Sequence, residues 1–273
     1  MKSHRPALSL TLLLITLFLG ISSNAYAANF DYDLYQQFLD RYAHPNQNIA
    51  GVVLTAMDYR KVFDEKDQAD SPYRLLLEHF SSYDLTALTS RNEKLAFWIN
   101  AYNLGAVKMI IDHFPLDSIR SRKINFFKNP WGIKIVNIGG KDYSLGHIEH
   151  HILIDKLAEP MTHFAIVCAS ISCPDLSTEV YHPASLDKQL KQQASLFLLN
   201  REKGLKIDRE RGIVFFSKIF KFDRKTFPDG AVSAIDLISP FLPGEDRSYI
   251  ENRKFEVKYL NYNWNLNSAA KGD

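Results

Sequence analysis

The chain carries only two cysteines in 273 residues, Cys168 and Cys173, too few for a structural zinc centre or a network of disulfides. Neither sign of charge dominates. Lys and Arg total 33 against 31 Asp and Glu, and once an N-terminal segment holding Lys2 and Arg5 is set aside the net charge is zero. A balance of that kind, with both signs interspersed, gives little electrostatic reason to bind nucleic acid or an anionic membrane surface. Long hydrophobic runs are also missing after the first residues, because Lys, Asp or Glu soon interrupts each one, so no stable membrane insertion is expected of the mature chain. Repeats, low-complexity tracts and a long Pro/Gly/Ser linker are absent too, which excludes a solenoid and makes residues 28–273 read as one domain. What is present is ample core material, 46% hydrophobic and 12% aromatic.

The N-terminus has the order of a secretory signal: a basic start at Lys2 and Arg5, an apolar stretch from Ala7 to Ile21, and Ala25-Tyr26-Ala27 as a small-x-small cleavage site before Ala28. The apolar stretch falls short of the roughly 20 residues that span a bilayer. Residues 1–27 are therefore expected to be removed, leaving a periplasmic or secreted protein. In an oxidising compartment a bond between Cys168 and Cys173 is one reading, and two reduced thiols kept for a functional reason is the other.

Helical spacing covers Asp33 to Tyr42, Leu75 to Phe80 behind Ser71-Pro72, Asn92 to His113, Leu145 to Leu157, and Leu186 to Leu199. The third of these is apolar nearly all round and should be central. Hairpins are predicted for Ile133 to Leu145 around Gly139-Gly140, and for Leu205 to Phe216 around Gly212; Phe164 to Val167 reads as a short buried strand. The sum is an α+β domain with helices packed on a small, mostly antiparallel sheet.

Chemistry concentrates in three places. Cys168 follows the apolar run and opens a loop of small and hydroxyl residues, where a nearby imidazole from His150 or His163 would populate its thiolate. Glu149 or Asn100 would orient the base, and the backbone amides of Ala169-Ser170 would receive an oxyanion. Asn100 and Asn103 share one face of the apolar helix, so each either caps irregular backbone or lines a cleft. His147 and His151, four apart, could share a metal, but the spacing lacks a third ligand and the expectation is that neither metal nor other cofactor is required.

Around these residues the chain resembles the domain-of-unknown-function 547 family. The resemblance is carried by Glu93 to Asn103, Tyr143 to Leu145 together with Ile148 to His150, His163 to Ser170, Ser217 to Phe222 and Tyr262 to Asn267, five motifs in order over most of the mature chain. Asn100, Asn103, Glu149, His150, His163, Cys168 and Ser170 fall on those motifs; His147 and His151 do not. The resemblance implies positions rather than a reaction. Two functions stand at this point: an exported thiol hydrolase or acyl transferase acting on a peptide or amide, with Cys168, His150, Glu149 and Asn100 catalytic and Asn103, His163 and Ser170 supporting; or a non-catalytic binding or structural module built from the same residues.

Overall fold

The computed structural model describes residues 30–127 and 129–269; the expected signal peptide lies outside them. Helix α1 (Tyr32–Tyr42) starts at Asp31, whose side chain accepts from Leu34 N. A hairpin of β1 (Ala43–Ile49) and β2 (Val52–Met57) follows, then α2 (Tyr59–Glu65) and α3 (Pro72–Ser82). The β1–β2 hairpin is absent from the sequence reading because β1 is almost wholly polar and contains Pro45. It survives as a strand because its register shifts between His44 and Gln47, a break that accommodates the proline.

The central element is α4 (Arg91–Ile111), and its start is fixed by a capping box in which Ser90 Oγ accepts from Glu93 N and Glu93 Oε2 accepts from Ser90 N at 2.7 Å. Every residue from Leu95 to Val107 is buried, so this helix is the axis of the larger hydrophobic core. Strands β3 (Lys134–Ile138) and β4 (Lys141–Ser144) form the expected hairpin over it. The next helical segment, His147–Lys156, is a π-helix with i→i+5 bonds such as Leu157 N to Ile152 O at 2.9 Å. Gly146 opens it because a Cβ there would come within 3.0 Å of the Trp131 carbonyl.

The predicted strand over Phe164 to Val167 does not form. Residues Pro160–Phe164 make a 3-10 turn, and the chain beyond runs irregularly to Cys168. Its backbone finds partners without a sheet: Asn103 Nδ2 donates to Ala165 O and Asn103 Oδ1 accepts from Val167 N, both at 3.0 Å. One buried amide replaces a neighbouring strand.

Helix α5 (Leu186–Leu199), strands β5 (Leu205–Asp208) and β6 (Ile213–Phe216), and helices α6 (Ile219–Phe222), α7 (Ala231–Ile238) and α8 (Gly244–Glu251) enclose a second core. Strand β7 (Glu256–Tyr259) pairs parallel to β6. The architecture is α+β, with the strands divided among three small, mostly antiparallel sheets. Among the described residues no helix is long and apolar enough to cross a membrane.

After β7 the chain returns across the larger core as an extended strap. Ile171 N donates to Asn265 O, Asn267 N to Ala169 O, Met57 N to Asn267 O, and Leu266 N to Asp117 O. The strap thereby ties the Cys168 loop to the β1–β2 hairpin, and it carries Tyr262 and Trp264 over the thiol.

Candidate active site

Cys168 lies at a cavity of about 430 Å³ bounded by the π-helix, the loop from Ile166 to Pro174, helix α6 and the C-terminal strap. Its sulphur is 3.1 Å from Ser170 Oγ and 3.2 Å from Tyr262 Oη. Ala169, between the thiol and Ser170, adopts φ +57°, and this left-handed step turns the chain back so that the two side chains meet. Burial would push the Cys168 thiol up, but hydrogen bonds from Cys173, Ser170 and Tyr262 outweigh it and hold the thiol below its ordinary value. Cys173 has the opposite character: burial and the neighbouring Cys168 charge push it well up. Both cysteines are free and buried.

Two carboxylates and two imidazoles share the cavity: Glu149, Asp223, His150 and His163. His163 Nε2 is 3.0 Å from Asp223 Oδ2, with Thr226 Oγ1 3.2 Å from the same nitrogen and donating to Asp223 at 2.7 Å. Although burial opposes it, the bonds from His163 and Thr226 hold Asp223 far below the usual carboxylate range. The other ring nitrogen of His163 faces Glu149 at 4.0 Å. Glu149 accepts from Tyr102 Oη at 3.2 Å, and burial raises its pKa against the pull of His163 and His150. His150 Nδ1 is buried without a hydrogen-bond partner among the described residues. A buried, unsatisfied imidazole nitrogen beside a cavity is a group held ready for a ligand or a proton.

The sequence-predicted residues therefore separate. Cys168, Ser170, Glu149, His150 and His163 converge. Asn103 supports the site from beneath by holding the backbone that leads to Cys168. Asn100 is not among the residues lining the cavity: its Nδ2 donates to Tyr181 O at 2.8 Å and its Oδ1 accepts from Tyr181 N at 3.2 Å, so the amide is turned to the Tyr181 backbone. No hydrogen bond joins Cys168 to His150 or His163 among the described residues; the partners of the sulphur are the Ser170 and Tyr262 hydroxyls and the Cys173 thiol. The His147 and His151 rings are tilted against each other with centres 5.1 Å apart, and His151 is largely exposed beside Asp155. Among the described residues no group of three or more His, Cys, Asp or Glu is placed to hold a metal.

Asp223 and Tyr262 are the functional candidates that the sequence reading missed. Asp223 follows the Ser217 to Phe222 motif by one residue and Tyr262 opens the last motif, so proximity to those segments was the available signal.

No curated protein and no solved structure matches the chain. The matched segment reaches from the turn before α4 to the end of α5, enclosing Glu149, His150, His163 and Cys168 but not Asp223 or Tyr262. Over residues 85–198 the chain matches the model of the family described as "Protein of unknown function, DUF547", as its motifs imply.

Proposed function

We propose that the protein is an exported cysteine-dependent hydrolase or acyl transferase acting on a peptide or amide. The observation that carries this reading is the Cys168 sulphur held between the Ser170 and Tyr262 hydroxyls at a cavity that also receives two imidazoles. Hydroxyl donors favour the thiolate without a base in contact with it. The proton that leaves Cys168 is assigned to His150, whose Nδ1 is unengaged. The thiolate then attacks the carbonyl carbon; the C–S bond forms and the carbonyl π pair moves to oxygen, facing the Ala169-Ser170 backbone. Collapse breaks the C–N bond, His150 protonates the departing amine, and a thioester remains. Water, or an acceptor amine, gives its proton to His150 as it attacks the thioester, and the thiolate leaves.

His163 is less suited to that proton transfer, since its Nε2 is occupied by Asp223 and Thr226. Its place beside Glu149 makes it a support for the carboxyl next to His150.

The test is the rate of iodoacetamide labelling of Cys168 against pH, together with release of fluorophore from a peptidyl-coumarin library. Labelling near neutral pH faster than a free model thiol, and turnover lost in both Cys168→Ser and His150→Ala, are expected. A Cys168 that labels no faster than a free thiol would leave the binding-module reading in its place. Export is tested by the mass of protein recovered outside the cytoplasm, which should begin at Ala28; retention in the membrane would overturn it.

A further inference from the structure

The cavity's outer wall is aromatic and cationic. Trp264 packs on Phe222 at 5.6 Å and on Tyr262 at 4.4 Å, with Trp131 edge-on to it at 6.0 Å. The Arg120 guanidinium lies over the Trp264 ring, 4.8 Å from its centre, and among the described residues it has no carboxylate partner. A guanidinium that is stacked but unpaired keeps its in-plane N–H groups available, the arrangement that receives a planar anion. Near this wall the chain is locally basic although its overall charge is balanced. Arg122 and Lys123 follow Arg120, and Lys221 and Arg224 flank Phe222-Asp223. None of these is in an ion pair among the described residues. The cavity's own carboxylates are turned to other partners, Asp223 to His163 and Thr226 and Glu149 to Tyr102.

We infer that Arg120 is the carboxylate-binding subsite of this cavity, so that its ligand is an acidic peptide or amide with a carboxylate on Arg120 and an apolar group against Trp264 and Phe222. The contacts run from Arg120 through Trp264 and Tyr262 to the Cys168 sulphur, so a ligand anchored at Arg120 lies along the wall towards the thiol. The inference rests on the thiol-enzyme reading for what happens to that ligand, but not for its binding. The two are separable.

The experiment compares N-acetylphenylalanine with N-acetylphenylalaninamide, which share the aromatic group and differ in the carboxylate. Binding to the full chain is followed by calorimetry in the wild type, Arg120→Gln and Arg120→Lys. Because Arg120 stands at the cavity wall and not in the core, all three should fold, as checked by circular dichroism. The acid is expected to bind the wild type at least about tenfold more tightly than the amide, the scale of a charge-assisted hydrogen bond. Arg120→Gln should bring the two within about twofold, and Arg120→Lys should keep part of the preference. Equal affinities in the wild type, or a preference unchanged in Arg120→Gln, would overturn the inference. A short single-stranded oligonucleotide that bound more tightly than the acid and lost affinity in Arg120→Gln would also overturn it, assigning the wall to nucleic acid. Labelling with iodoacetate and iodoacetamide separates the two readings: a Cys168 inert to both, with the carboxylate preference intact, removes the enzyme and leaves the subsite.

Discussion

The backbone N–H of Cys168 points at the Cys173 sulphur 2.9 Å away, so two thiols five residues apart form a single unit with unequal members. Cys168 is the more readily ionised of the two, because it gathers hydroxyl and thiol donors, whereas burial and the neighbouring thiol push Cys173 up. Alkylation should therefore be selective. Cys168→Ser is expected to remove the fast phase near neutral pH altogether. Cys173→Ser should change its rate by less than about threefold, since a hydroxyl can take over as donor, whereas Cys173→Ala should slow it. Peptide mapping after limited iodoacetamide treatment reads the result directly, and preferential labelling of Cys173 would contradict it.

The hydroxyls around the sulphur make a second prediction. Removing a donor from a thiolate raises its pKa, so less thiolate is present at neutral pH and alkylation slows. Tyr262→Phe and Ser170→Ala should each move the midpoint of the rate–pH curve upward by about one to two units, the equivalent of one hydrogen bond to a charged group. The plateau rate at high pH should be nearly unchanged, because the thiolate is then fully formed in every variant. A midpoint that stays fixed in Tyr262→Phe would mean that the 3.2 Å contact does not stabilise charge.

These assignments show what the sequence disclosed and what it hid. Helix α4 was legible because its long apolar run and Pro115 beyond its end agree. Helix α5 was legible by spacing alone. The segment before Cys168 misled because four apolar residues in a row satisfy a strand or any other buried chain, and only the Asn103 amide, 62 residues from Ala165, decides between them. The β1–β2 hairpin was hidden because a polar strand with a proline has no alternation to detect. The site itself was half visible. Cys168, His150 and Glu149 stand in short distinctive motifs, but Asp223 and Tyr262 are single polar residues in aromatic segments, brought in by α6 and the strap. Asn100 and Asn103 looked alike in sequence; their three-residue spacing sends one amide to Tyr181 and the other to the thiol loop.

Asn103 should accordingly be a stability residue with a kinetic echo. Replacing it with Ala orphans the Ala165 carbonyl and the Val167 N–H, both buried, at a cost of about 2 to 4 kcal/mol. Asn103→Asp retains the acceptor for Val167 N but loses the donor to Ala165, and should be destabilised as well. Urea unfolding measures both. Because Val167 directly precedes Cys168, the alkylation rate should also fall in Asn103→Ala under conditions where the protein remains folded. Loss of stability without any change in thiol reactivity would separate the Asn103 support from the site.

Glu149 offers the sharpest pH prediction. Burial raises its folded-state pKa above the ordinary carboxyl value of 4.5, whereas in the unfolded chain it ionises at that ordinary value. As pH rises through 4.5, the unfolded state loses a proton that the folded state retains, so this group lowers stability progressively until the folded pKa is passed; below 4.5 both states are protonated and the effect vanishes. Glu149→Gln removes the titration while keeping an acceptor for Tyr102 Oη, whose bond to Glu149 is 3.2 Å. The variant should match the wild type in stability near pH 4 and exceed it increasingly towards neutral pH, as read from urea midpoints across that range. If the carboxyl also supports His150 in proton transfer, turnover should fall in the same variant, so that stability and activity move in opposite directions. A Glu149→Gln protein less stable than the wild type at neutral pH would show instead that the ionised carboxylate, paired with His163 across 4.0 Å, is the folded form.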